Sequence, residues 1–308
     1  MLARATAPAT LSNLGPGFDV LGLALETPLD AVTVELREEP GITVVTAGAF
    51  GDRVPRDPER NLAAFAAAQV LTASGQKKGG LLVTVEKAIP PGSGLGSSAA
   101  SAAAAAVAAM RALEIDLVPR VLLRIGRESE ALAAGSPHLD NFAPALLGGC
   151  VAVVSNEPPE VRPLMFPRDW WFAVVLPDHP VETKVARAAL PASVSMRDAV
   201  ANLRDLAAVL DAAARADLPA FCAHLRDHLA SPHRAPLWPF LEPARRAAEA
   251  AGAPALCISG SGPAMFAPCE DQASAERIGG AIVAGLAAAG YTAARYASKV
   301  SARGALGG

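Results

Sequence analysis

The residues with the strongest chemical signature lie between Pro90 and Met110, PPGSGLGSSAASAAAAAVAAM. Gly92, Gly94 and Gly96 let the backbone turn left-handed and let a ligand approach the main chain with no Cβ in the way. Ser97 and Ser98 are good helix N-caps, and the alanine run behind them predicts a helix. The first turn of a helix carries unpaired N–H groups and a partial positive charge. Bare amides running into a helix N-terminus can hold phosphate. The spacing departs from two familiar phosphate loops. Ser97 stands where G-x-x-x-x-G-K-[ST] requires Lys, and G-x-G-x-x-G fits only in its looser form, from Gly94 to Ala99. No charged residue lies between Ala88 and Met110. A phosphate would be met by amide dipoles, a metal, or a neighbouring cation such as Lys87. The plain alternative is a glycine turn before an ordinary helix.

Glu130 also asks for a partner. Pro119 to Ala134 predicts a helix, with Pro119 in its first turn and Gly135 just past its end. Wound at about 100° per residue, Arg120, Arg124, Arg127 and Glu128 share a solvent arc. Val121, Leu122, Ile125, Ser129 and Leu132 fill the arc beyond it. Glu130 falls between Gly126 and Leu123, on the flank of the buried face. An unpaired carboxylate there is costly. Arg127 at i−3 is one partner. A metal is the other, because Mg²⁺ prefers hard oxygen ligands, and Ser98 can offer a hydroxyl to the same ion.

The elements that must carry these groups read as mixed strands and helices. Residues 3–12 predict a short strand broken by Pro8, and Asn13 to Phe18 a turn. Asp30 to Leu36 alternates as a half-buried strand, with Ile42 to Thr46 as its partner. Asn61 to Ala73 predicts a helix, with Asn61 a natural N-cap. Leu81 to Glu86 delivers the chain to the glycine loop. Ser136 to Asn141 is a polar loop, Leu146 to Val154 a strand, and the prolines between Ser155 and Pro167 mark a boundary. Strands follow at Trp170 to Leu176, Ala255 to Ile258, Ala264 to Ala267 and Tyr291 to Val300. Helices follow at Met196 to Ala216, Leu218 to Leu229, Leu241 to Ala251 and Ala275 to Ala289, the last capped by Ser274.

Bulk composition narrows the function. The chain of 308 residues is 52% hydrophobic, enough for two domains. A net charge of −3 and the lack of a basic aromatic stripe give no reason to expect nucleic acid or a membrane surface. Cys150, Cys222, Cys257 and Cys269 are scattered, so buried free thiols are expected rather than zinc or disulfides. The first ten residues have no apolar core and no run is long enough to span a bilayer, so a soluble cytoplasmic protein is expected.

Pro90–Ala99 resembles the second motif of the GHMP kinases, P-x-G-x-G-L-G-S-S-A. Ser12–Asp19 resembles the first motif of the homoserine kinase branch, and Ile258–Pro263 the third motif. The resemblance spans nearly the whole chain. It implies an α+β, two-domain fold: residues 1–160 with a β-α-β nucleotide unit of left-handed crossover, and residues 161–308 as a ferredoxin-like domain. It implies transfer of the ATP γ-phosphate to the hydroxyl of L-homoserine, giving O-phospho-L-homoserine for threonine synthesis, by a homodimer. Another acceptor such as mevalonate or shikimate is the alternative enzyme. A non-catalytic nucleotide-binding regulator is the alternative class, and the intact Ser98 and Glu130 speak against it.

The resemblance also assigns residues. Asn61, Lys87, Pro91, Gly92, Ser93, Gly94, Leu95, Gly96, Ser97, Ser98, Ala99, Ala100 and Ser101 are expected at ATP, and Ser98 and Glu130 at Mg²⁺. Asn13, Asp19, His138, Asn141, Arg187 and Arg234 are expected at the acceptor. A zwitterion needs a carboxylate for its ammonium, here Asp19, and an arginine for its carboxylate, here Arg187 or Arg234. Asn141, Thr183 and Arg187 are the expected catalytic group, with Thr183 positioning the attacking hydroxyl. Galactokinase-like members use an Asp base about eleven residues after the metal Glu. That position here is Asn141, which cannot take a proton, and Asp140 is one residue off. Proton loss late in a loose transition state is therefore expected.

Overall fold

The structure, a computed structural model, describes all of the chain except residues 77, 78, 135 and 136. The expected helix stop at Gly135 and the loop residue Ser136 lie outside the described residues. The first half is built from β1 (Leu2–Ser12), β2 (Leu21–Arg37), β3 (Gly41–Ala47), α1 (Leu62–Ala73), β4 (Gly80–Glu86), α2 (Ser97–Ala112), α3 (Pro119–Ala134), α4 (Phe142–Leu147), β5 (Cys150–Asn156) and β6 (Pro159–Leu164). Its six-stranded sheet runs β3-β4-β2-β5-β6, with β1 also paired to β2. The second half holds β7 (Trp171–Pro177), α5 (Thr183–Ala188), α6 (Met196–Ala214), α7 (Leu218–Ala223), α8 (Ser231–Arg234), α9 (Leu241–Ala250), β8 (Cys257–Ile258), β9 (Met265–Cys269), α10 (Gln272–Ala288) and β10 (Ala293–Lys299). Its sheet is antiparallel, in the order β10-β7-β9-β8. Numbered within this half, that order is 4-1-3-2, the ferredoxin-like arrangement.

Several elements depart from the sequence reading, each for a local reason. Pro8 does not break β1. The register between β1 and β2 shifts between Pro8 and Thr10, and the extra β2 residues around Pro28 sit at that irregularity, where a missing N–H costs no ladder bond. The two apolar stretches at 20–25 and 30–36 are therefore one long strand. β3 is not a partner of β2. It pairs in parallel with β4, because the chain between them crosses over through α1. Residues 142–147 form α4, ended by Gly148 at φ 82° and Gly149 at φ 68°, so the strand expected from Leu146 starts only at Cys150. The proline-rich stretch is not merely a boundary. It contains β6, an edge strand on β5, where proline is tolerated. The division drawn after residue 160 falls inside β6. α7 stops at Ala223 and does not run on to Leu229, whose amide, with those of Ala230 and Ser231, is collected by the Asp227 carboxylate. α10 is capped by Asp271, which accepts from Ser274 N at 2.7 Å, and not by Ser274. Leu132 is half exposed rather than core.

What positions the glycine loop is α2. Its alanines from Ala99 to Ala109 are all buried, and the helix packs on β1 and β2 on one side and on α1, α3 and α4 on the other. Methyl side chains let all of these backbones approach closely. The loop is thereby fixed to the centre of the core, while the β8–β9 turn approaches it from the other sheet.

Candidate active site

Gly92, Gly94 and Gly96 take φ values of 70°, 79° and 62°. The helix begins one residue earlier than a Ser97 cap would require. Left-handed Gly96 is the N-cap, and the Ser97 hydroxyl donates instead to Ile89 O at 2.9 Å. Ser98 is exposed at the helix start. The loop is clasped by the β8–β9 turn: Ser259 Oγ donates to Gly94 O at 2.7 Å and Ala264 N to Ser93 O at 2.9 Å. A Cβ on Gly94 would lie 2.6 Å from Ser259 O and 2.9 Å from Gly262 O. These are backbone atoms with no room to yield. Gly94→Ala should therefore raise the KM for ATP by about tenfold or more, as expected when strain of 1–2 kcal/mol adds to a clash. Initial rates against ATP concentration check this.

Lys87 lies under the loop. It is 3% exposed and forms an ion pair with Asp30, which is fully buried. Its ammonium also donates to Ser97 O and Ser101 Oγ, each at 2.6 Å. Asp30 in turn accepts from Ala88 N and Ile89 N, each at 2.9 Å. Burial pulls the Lys87 pKa down, and Asp30 pulls it part of the way back. Lys87 is neither a solvated strand-end lysine nor a free counter-charge for phosphate. With Asp30 it is the clamp beneath the cradle.

Two cavities meet at Ser97 and Ser98. The first, about 240 Å³, is lined by Asn13, Asp19, Gly92, Ser93, Gly94, Gly96, Ser97, Ser98, Ala99, Glu130, His138, Asn141, Thr183, Arg187 and Arg234, with Ser12, Asp140, Gly260 and Ser261. The second, about 470 Å³, is lined by Asn61, Lys87, Pro91 and Ser101, with Leu132 and Lys184 among others. Leu95 and Ala100 line neither. Both are fully buried, and their amides are bonded to Ser93 Oγ and Gly96 O. Asn61 sits at the second cavity with its carboxamide spent on capping Ala64 N at 3.0 Å and on Pro55 O at 2.7 Å.

Among the described residues Glu130 has no hydrogen-bond or ion-pair partner. Arg127, its expected neighbour, pairs with Glu157 at 2.6 Å. Glu130 Oε1 is out of water's reach and accepts no hydrogen bond. Burial first, then the nearby Asp140 charge, pushes its pKa up to about 8. Asp140 is pushed up to about 7 by burial and Asp19, against the pull of Arg187 and a hydrogen bond with Ser12. An orphaned carboxylate oxygen lining the same cavity as the exposed Ser98 hydroxyl is a donor set that fits a hard divalent cation.

At the far side of this cavity Asp19 and Arg187 form a two-pronged ion pair at 2.6 and 3.0 Å. His138 Nδ1 lies 3.4 Å from Asp19, and burial lowers its pKa. Arg234 is 3% exposed and donates to Ala186 O at 2.9 Å and Gly260 O at 3.3 Å. Asn13, left-handed at φ 72°, accepts from Asp19 N and donates to Gly260 O. Asn141 accepts from Thr10 Oγ1 at 2.8 Å and donates to Ser12 Oγ at 3.2 Å. Thr183 opens α5, its hydroxyl 3.4 Å from that of Ser261. Asp30 and Ser12 were not singled out from sequence. The one available signal for Asp30 was its phase, since it falls on the same face of the alternating stretch as Val32, Val34 and Leu36.

The chain matches two family models, "GHMP kinases N terminal domain" over residues 61–149 and "GHMP kinases C terminal" over residues 209–288. It is 39% identical to a homoserine kinase of Pyrococcus furiosus, over 97% of this chain and 98% of that one. It is 37% identical to a homoserine kinase of Halobacterium salinarum, over 97% and 95%. Among solved structures, a homoserine kinase from Cytophaga hutchinsonii superposes with a TM-score of 0.92 at 35% identity, covering 98% of this chain and 96% of that one.

Proposed function

The chain belongs to the GHMP kinase family, and on that premise we propose that it transfers the ATP γ-phosphate to the hydroxyl of L-homoserine. The observation that carries the acceptor assignment is the Asp19–Arg187 pair beside Arg234, in the same cavity as the glycine loop. In the free protein these charges satisfy each other. A zwitterionic acceptor exchanges partners with them: its ammonium takes Asp19 and its carboxylate takes Arg187 and Arg234. An acceptor with only one of the two charges leaves a protein charge unpaired, which is costly in a half-buried site. Mevalonate, with no ammonium, is such an acceptor.

In this reading ATP lies across both cavities, its phosphates over the glycine loop and its nucleoside toward Asn61. Ser98 and Glu130 hold Mg²⁺, which supplies Lewis-acid charge neutralisation to the transferring phosphoryl group. Asn13, His138 and Asn141 complete the acceptor's hydrogen bonds, and Thr183 orients its hydroxyl. Residues 1–164 form the nucleotide lobe, and residues from Trp171 onward form the lobe that closes the acceptor pocket. Among the described residues no helix is long and apolar enough to cross a membrane. The reading extends to a cytoplasmic homodimer, checked by light scattering.

Phosphoryl transfer asks for alignment and charge neutralisation more than for a strong base. The hydroxyl proton passes to a phosphate oxygen late in the step. Asp140→Asn should therefore cost less in kcat than the roughly 10²–10⁴ a general base supplies. Abolished turnover with intact acceptor binding would instead assign Asp140 as the base. The acceptor itself is tested by coupled ADP release over homoserine, mevalonate, shikimate and galactose. Equal or better turnover of one of the other three overturns the assignment.

A further inference from the structure

Two arginines of the acceptor cavity, Arg187 and Arg234, share one aromatic ring. Arg187 lowers the pKa of Arg234, second only to burial, so repulsion between the guanidiniums is felt. Asp19 offsets the Arg187 charge, but among the described residues the Arg234 side chain makes hydrogen bonds only to neutral carbonyls. What both share is Phe18. The Arg187 guanidinium carbon lies 5.3 Å from the centre of the Phe18 ring, and that of Arg234 lies 5.2 Å from it. Both distances fall within the reach of a cation–π contact. The face of an aromatic ring is negatively polarised but carries no net charge. It can therefore attract both cations without competing for the donors that must bind a carboxylate.

We propose that Phe18 is the positioning residue for the carboxylate end of the acceptor, holding the Arg187 and Arg234 guanidiniums together as one receptor. A carboxylate in place of the ring would serve less well. It would saturate the arginine donors and repel the incoming anion. Phe18 adjoins the left-handed Asp19, and the two neighbours both meet the Arg187 guanidinium, one by its ring and one by its carboxylate. This inference rests on the zwitterionic acceptor assigned above.

The test is steady-state kinetics on wild type, Phe18→Leu and Phe18→Tyr, with L-homoserine and with the analogue whose carboxylate is reduced to a hydroxymethyl group. Phe18→Leu removes the polarised face and should raise the KM for L-homoserine by roughly five- to thirty-fold, with the KM for ATP unchanged. Phe18→Tyr should restore most of it. With the hydroxymethyl analogue, Phe18→Leu and wild type should differ little, because no carboxylate is there to be placed. If Phe18→Leu does not fold, replacing Phe18 by mono- and pentafluorophenylalanine keeps the shape and progressively withdraws the π charge. The KM for L-homoserine should rise along that series. An unchanged KM, or an equal loss on both acceptors, overturns the role of Phe18 while leaving a wild type that phosphorylates homoserine. Failure of wild type to phosphorylate homoserine overturns the acceptor reading, and this inference with it.

Discussion

Glu130→Gln should lower phosphoryl transfer by at least about a hundredfold, since metal Lewis-acid stabilisation is worth several kcal/mol, and yet make the metal-free fold more stable. The two effects have one origin. Glu130 Oε1 is buried with no hydrogen bond among the described residues, and the carboxyl pKa is raised to about 8. Well below its unfolded pKa, near 4.5, Glu130 is protonated whether the chain is folded or not. Between that value and about 8 the unfolded chain ionises while the folded one retains its proton, so stability falls as pH rises. Above 8 both states are ionised and the penalty is complete. Asp140, raised to about 7, acts in the same direction over a lower window. The metal-free protein should thus lose a few kcal/mol across this range, read as a melting temperature that declines from pH 5 to pH 8. Glu130→Gln should flatten the decline, and adding Mg²⁺ with nucleotide should raise the wild-type melting temperature most at the alkaline end. A melting temperature that rises toward pH 8 would show that the buried carboxylate has a protein partner.

Lys87→Met should destabilise the protein by about 3–5 kcal/mol, because it strands the fully buried Asp30 without its counter-charge. The double variant Asp30→Asn with Lys87→Met should recover most of that loss, as neutral replacement of a buried pair often does. Recovery of folding need not bring recovery of function. The Lys87 ammonium also fastens Ser97 O and Ser101 Oγ, and Asp30 fastens the amides of Ala88 and Ile89 on the other side of the glycine loop. The double variant should keep a raised KM for ATP even when its melting temperature approaches that of wild type. A double-mutant cycle with both readouts separates the two effects.

The parts of the site that are continuous in sequence could be read without coordinates. The glycine loop is one such part, because turn, helix start and small residues sit side by side. Glu130 is another, because one helix period places it against the core. Contacts across the chain were closed to such reasoning. Asp19 and Arg187 are 168 residues apart and Asp30 and Lys87 are 57 apart, and nothing local distinguishes a paired charge from a solvated one. That is why Asp19 and Arg187 read as separate ligands for a substrate rather than as partners of each other, and why Lys87 read as free. The Ser97 cap failed for a local reason. A glycine at φ 62° had already started the helix, which released the hydroxyl to Ile89 O. In the fold, β6 was hidden by its own prolines, which disfavour a central strand but not an edge one.

Alanine has no rotamers to freeze. Ordering a buried leucine or methionine surrenders roughly 0.5–2 kcal/mol of side-chain entropy, whereas ordering an alanine surrenders essentially none. α2 presents methyl groups to every neighbour along Ala99–Ala109 except at Ser101 and Val107. The amides at its start are thus held by a surface with almost no internal motion of its own. Such a surface also has no slack. A single added methylene along this helix must displace the side chains its neighbours pack into the same core, Leu11, Val34, Leu122 and Phe142 among them.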